Sequence, residues 1–81
     1  MRINRIIVAG NYREFNYLMR QRYSDGDPGG NYYVSDPNQL RGMHNVPVEF
    51  YGTYYLRPDI ETIERIVMEN GLEDAGKAGK A

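Results

Sequence analysis

Residues 6–13 read IIVAGNYR: four apolar residues, a glycine, an asparagine and a polar step into a helical pattern. The run from Ile6 to Ala9 does not alternate. A short continuous apolar run bounded by glycine is the pattern of a strand buried on both faces. Beyond it, Phe15, Leu18, Met19 and Arg22 fall at helical spacing with Tyr12 a turn earlier, so Tyr12 to Tyr23 reads as an amphipathic helix. Asn11 is placed to cap it. A buried strand ending in glycine at a helix entrance is also how many phosphate-binding folds begin.

Further along the chain, Ser24 to Asn31 (SDGDPGGN) is the strongest breaker, every residue in it being a turn former. A second strand is predicted at Tyr32-Tyr33-Val34. Asp36 before Pro37 reads as an N-cap followed by proline at the first helical position, so Asn38 to Arg41 is a short helix closed by Gly42. Leu40 is its one core contact. The third strand is Val46 to Tyr51, with Val46, Val48 and Phe50 on one face and Pro47, Glu49 and Tyr51 on the other. Proline fits a paired strand only where it opens it. Gly52 to Arg57 reads as loop. Pro58 starts a last helix with Asp59 and Glu61 in its first turn, a stripe of Ile60, Ile63, Ile66 and Val67, and Gly71 as its stop. Residues 72–81, LEDAGKAGKA, are small and charged and predict a disordered tail, leaving 1–71 as a single domain.

The order β-α-β-(short α)-β-α implies an α/β fold with a parallel sheet and right-handed crossovers. The predicted architecture is a small three-stranded parallel sheet in the order 2-1-3, a Rossmann- or flavodoxin-like half-fold. The most uniformly apolar strand, IIVA, then lies in the middle. Two open sheet edges and a thin core lead to the expectation of a homodimer.

Composition narrows the function classes. Ten basic against eleven acidic side chains give a net charge of −1, without the positive field of a non-specific nucleic-acid binder. With no cysteine, disulfides and thiolate metal sites are excluded. The apolar run near the N-terminus is too short for a signal peptide or a membrane span, so the expected location is the cytoplasm. Eight of the ten basic residues are arginine, and there are eight tyrosines. Both types are enriched at binding surfaces, although tyrosine also covers thin cores.

In open parallel sheets ligands bind beyond the carboxyl ends of the strands, at the switch in strand order. That rule selects Gly10 and Asn11 after the first strand, Ser35 and Asp36 after the second, and Gly52 and Thr53 after the third. Arg13, Arg41 and Arg57 lie within a few residues of these ends, and Tyr12, Tyr54 and Tyr55 are on the same rim. Helix amides and arginines there suit a phosphate, and tyrosine suits a base. Against this, the segment is neither the glycine-rich dinucleotide fingerprint nor a P-loop, and any strand-to-helix turn needs a glycine and a cap. His44 is the only histidine and has no partner in sequence to make it a base. Asp25 and Asp27 lack the spacing and closing glutamate of a calcium loop. The residues point to no catalytic group, metal or cofactor.

Three segments resemble a group of small phage-encoded α/β proteins. They are Gly10-Asn11-Tyr12 after the first strand; Ser35-Asp36, Gln39, Leu40, Arg41 and Gly42; and Gly52-Thr53-Tyr54-Tyr55 with Arg57 before the last helix. The resemblance covers residues 5–70 and carries no activity with it. It implies a bacterial host cytoplasm and an accessory protein that binds a host or phage protein. The expectation is therefore a non-enzymatic module whose rim tyrosines and arginines anchor a protein partner. The alternative is a nucleotide or phosphate ligand at the strand ends. Single-stranded nucleic acid stacking on Tyr12, Tyr54 and Tyr55 is disfavoured by the charge.

Overall fold

The structure is a computed structural model and describes residues 3–23 and 30–77. Strands β1 (Arg5–Ala9), β2 (Asn31–Tyr33), β3 (Pro47–Tyr51) and β4 (Glu73–Lys77) form one sheet in the order β2-β1-β3-β4. Every neighbouring pair is parallel. The first three strands take the expected 2-1-3 order, with IIVA between its two partners. Most of the predicted turn at Ser24–Asn31 falls outside the described residues.

Helix α1 (Tyr12–Arg22) covers one face of the sheet and α2 (Ile60–Glu69) the other. Ile6 to Ala9 are all fully buried. Ile6 and Val8 join Val48, Phe50, Leu40, Ile63 and Val67 in the larger core under α2. Ile7 and Ala9 meet Phe15, Leu18 and Met19 under α1. A strand flanked by helices on both sides has no wet face, which is why β1 shows no polar alternation. Pro47 is the first residue of β3, the one strand position where its missing N–H costs little.

Side-chain caps start α1 and the first 3₁₀ turn as the residues suggest, whereas α2 begins at Ile60, after Pro58 and Asp59, without one. Asn11 Oδ1 accepts from the Glu14 amide at 2.9 Å. Asp36 and Gln39 close a capping box around the 3₁₀ turn Pro37–Leu40, one residue earlier and more tightly wound than the predicted helix. Gly52-Thr53 leads into a second 3₁₀ turn, Tyr54–Leu56, where the sequence suggested plain loop.

The C-terminal segment departs from expectation. Residues 73–77 are not a disordered tail but β4, paired in parallel with β3. Val48 pairs with Asp74 and Glu49 with Gly76, so Ala75 is an extra residue in a bulge. Gly71 adopts φ +67°, and the amides of Gly71 and Leu72 donate to the Met68 and Val67 carbonyls, the paired bonds of a Schellman motif. That reversal brings Leu72 into the α2 core and delivers the chain to the open edge of β3. Backbone pairing asks nothing of side-chain type, so a sequence without β propensity joins a sheet when its entry is fixed. The domain thus runs to at least residue 77. Residues 78–81 lie outside the described residues.

Glu49 is an acidic residue buried in the sheet. Standing under α1, it accepts from Arg22 Nη1 at 2.8 Å and Arg5 Nη1 at 3.2 Å, and Arg22 Nη2 binds its second oxygen. The bidentate pair ties the last turn of α1 to the sheet. The Arg22 hydrogen bonds hold the Glu49 pKa below the ordinary 4.5, against the opposing effect of burial. A carboxylate with a depressed native pKa stabilises the fold fully above its unfolded value and loses that contribution as pH falls through the native one.

Unfolding measurements test both features. Leu72→Ala should cost about 2–3 kcal/mol in urea unfolding, whereas a residue in a free tail would cost nothing. Glu49→Gln should lower the melting temperature at pH 7, and the gap to the wild type should close as pH drops below 4.5, measured by thermal unfolding across pH.

Candidate functional site

The carboxyl ends of β1, β2 and β3 meet at a cleft of about 620 Å³, lined among others by Gly10, Asn11, Ser35, Thr53, Arg57 and Asp59. Five of the twelve residues selected from the sequence (Gly10, Asn11, Ser35, Thr53 and Arg57) do converge there. Two internal charges decide what the cleft can do.

The first is Glu14. One turn into α1, its carboxylate folds back over the β1–α1 corner. Oε1 accepts from the Gly10 and Thr53 amides, both at 2.9 Å, and Oε2 from the Thr53 hydroxyl at 2.8 Å. An anion does bind the IIVAGN corner, and it is the protein's own. Burial alone would raise the Glu14 pKa, but the bonds from Thr53 and Gly10 together outweigh it and hold the value below the usual 4.5. The glycines are explained by this contact. A Cβ on Gly10 would overlap the Thr53 hydroxyl and the Glu14 carboxylate, and one on Gly52, at φ +67°, would overlap the same carboxylate.

The second is Arg57, which is buried. Its Nη1 donates to the Ala9 carbonyl at 3.0 Å and the Val34 carbonyl at 2.7 Å. Nη2 donates to the Ser35 carbonyl at 3.2 Å and Asp59 Oδ2 at 3.0 Å, and Nε to Asp59 Oδ1 at 2.9 Å. A guanidinium has five N–H donors, and all five are engaged within the fold. Arg57 closes the exposed carbonyls where two strands end and offers no free donor to a phosphate.

The other selected residues have separate places. Tyr54 is in the core, its ring 5.3 Å from that of Phe50, and is not a rim anchor. Asp36 caps its 3₁₀ turn, and Arg41 Nε bonds Asn38 Oδ1 on the exposed side of that turn. Tyr55 is exposed, edge-on to Tyr54. Gly52 faces Glu14. Tyr12 and Arg13 sit on the outer side of α1, with the Tyr12 ring against those of Phe15 and Tyr33.

That outer side also holds residues not selected from the sequence. Tyr12, Arg13, Asn16, Tyr17 and Arg20 line one continuous groove along α1. Tyr12 and Tyr17 are 58% and 57% exposed, more than any other described aromatic residue. Among the described residues, neither Arg13 nor Arg20 has an ion-pair or hydrogen-bond partner. The acidic residue of the helix, Glu14, is turned to the corner. Arg13, Tyr17 and Arg20 lie on the side of the helix opposite Phe15, Leu18 and Met19, with Tyr12 at the border of the buried face, so Tyr17 and Arg20 were legible once the inward face was fixed.

Among the described residues, no group of histidines or carboxylates is placed to hold a metal ion, and no helix is long and apolar enough to cross a membrane. No family model, curated protein or solved structure matches the chain.

The Glu14 geometry predicts unequal effects of two substitutions. Glu14→Gln keeps an acceptor for both amides, and its NH₂ can donate to the Thr53 hydroxyl, so it should cost about 1 kcal/mol. Glu14→Ala leaves two amides without an acceptor and should cost roughly 2–3 kcal/mol. Urea unfolding of both variants measures the difference.

Proposed function

We propose that the protein is a non-enzymatic binding module that docks the outer face of α1 against an acidic surface of a protein partner. The observation that carries this reading is the exposed stripe Tyr12, Arg13, Tyr17 and Arg20, two large amphipathic rings alternating with two unpaired cations. Tyrosine and arginine are the residues that most often anchor interfaces. A helix of 11 residues is about 16 Å long, which suits a small, transient interface. The phage resemblance gives the partner's setting, a bacterial cytoplasm, and makes it a host or phage protein.

A second copy of the chain is the competing occupant. Packing α1 on its own symmetry mate would set Arg13 and Arg20 against like charges. A homodimer is better served by the sheet edges, since β2 and β4 are the outer strands of the described sheet. The alternative of a nucleotide or phosphate at the strand ends has less support, because Glu14 and the engaged donors of Arg57 leave that corner without a free cation among the described residues.

The test is capture from a host lysate, followed by titration of the purified captured protein. Arg13→Glu with Arg20→Glu should weaken its binding more than about tenfold, and raised salt should weaken the wild-type complex. Glu61→Arg on α2 should leave affinity unchanged. Equal affinity of the double variant, with loss on the α2 variant, would move the interface to the opposite side of the sheet.

A further inference from the structure

Asp59 occupies the N-cap position of α2 yet makes no capping hydrogen bond. Both its oxygens are held by the Arg57 fork, and its side chain, about one quarter exposed, lines the cleft at the strand ends. Each carboxylate oxygen keeps a lone pair beyond its bond to Arg57. Beside it the first turn of α2 has no side-chain cap. Among the described residues, the Asn11 carboxamide NH₂ and the hydroxyls of Tyr33 and Thr62 in the same lining have no partner. The cleft therefore offers a fixed acceptor pair next to free donors. Leu56, 71% exposed, and Pro58 add an apolar surface.

A phosphate only accepts hydrogen bonds, and in this cleft it would meet the Asp59 carboxylate. A hydroxyl donates and accepts, and two adjacent hydroxyls match the two oxygens of a carboxylate. We propose that this cleft binds an uncharged ring carrying vicinal hydroxyls, the ribose of a nucleoside or a free sugar. Asp59 accepts from the diol, Asn11 and Thr62 complete its hydrogen bonds, and Leu56 and Pro58 pack on the ring face. The volume, about 620 Å³, is in the range of small-molecule sites. This site is separate from the α1 face, so either can fail without the other.

Amide chemical shifts of the full chain, followed by NMR during titration with adenosine, uridine and free ribose, test it. The amides of Gly10, Ser35 and Thr62 should move with at least one of these probes below about 10 mM. Adenosine binding more tightly than ribose assigns a nucleoside, and equal binding assigns the sugar alone. The dideoxynucleoside should bind about tenfold more weakly than its parent, and the nucleoside monophosphate no more tightly. Asp59→Asn and Thr62→Val should each weaken binding, the latter without lowering the melting temperature, so loss of binding is separable from loss of fold. Unmoved amides, an equally tight dideoxynucleoside, or tighter binding of the monophosphate or inorganic phosphate would overturn the proposal.

Discussion

Parallel strands that stop at one level leave a row of carbonyl oxygens without partners, and here a single buried guanidinium closes it. Arg57 bonds the carbonyls of Ala9, Val34 and Ser35 and the carboxylate that starts α2. Its charge is neutralised by Asp59 in a bidentate pair. Removing one partner of such a pair strands the other, at a cost of order 3–5 kcal/mol in a buried setting. The positions of the two strand ends, the 3₁₀ turn before Arg57 and the first turn of α2 are therefore set together.

Glu14 does the complementary work on the other side of the same corner. Amides at the end of β1 and after β3 need an acceptor, and a glutamate in the first turn of α1 supplies it. The position favours negative charge for the reason it would favour a phosphate: helix dipole and converging N–H groups. With one internal cation and two internal anions at the strand ends, the cleft is a poor place for a free anion and a reasonable one for hydroxyls. The arginines without partners among the described residues, Arg13 and Arg20, lie instead on the α1 face among tyrosines.

The eight tyrosines show why composition alone does not choose between core and surface. Tyr54 packs on Phe50 in the core, and Tyr33 and Tyr51 border the smaller core under α1. Tyr12 and Tyr17 project from the helix. One residue type serves both ends because its ring is apolar and its hydroxyl tolerates water.

The order of the first three strands, the two main helices and the buried faces were legible in the residues, because these depend on local periodicity and on turn chemistry within a few positions; the start of α2 was not, since Pro58 and Asp59 form the turn before Ile60 rather than its first turn. The same reading brought Gly10, Asn11, Ser35, Thr53 and Arg57 to one corner, since strand ends in a parallel sheet lie together. What those residues do there is set by long-range contacts that no local pattern encodes. Whether Arg57 faces a ligand or three carbonyls depends on contacts across 48 residues of chain, and whether the corner amides meet a phosphate or Glu14 depends on one across 39. β4 belongs to the same class. Nothing in EDAGK marks a strand, and it becomes one because Gly71 and Leu72 deliver its backbone to an unpaired edge.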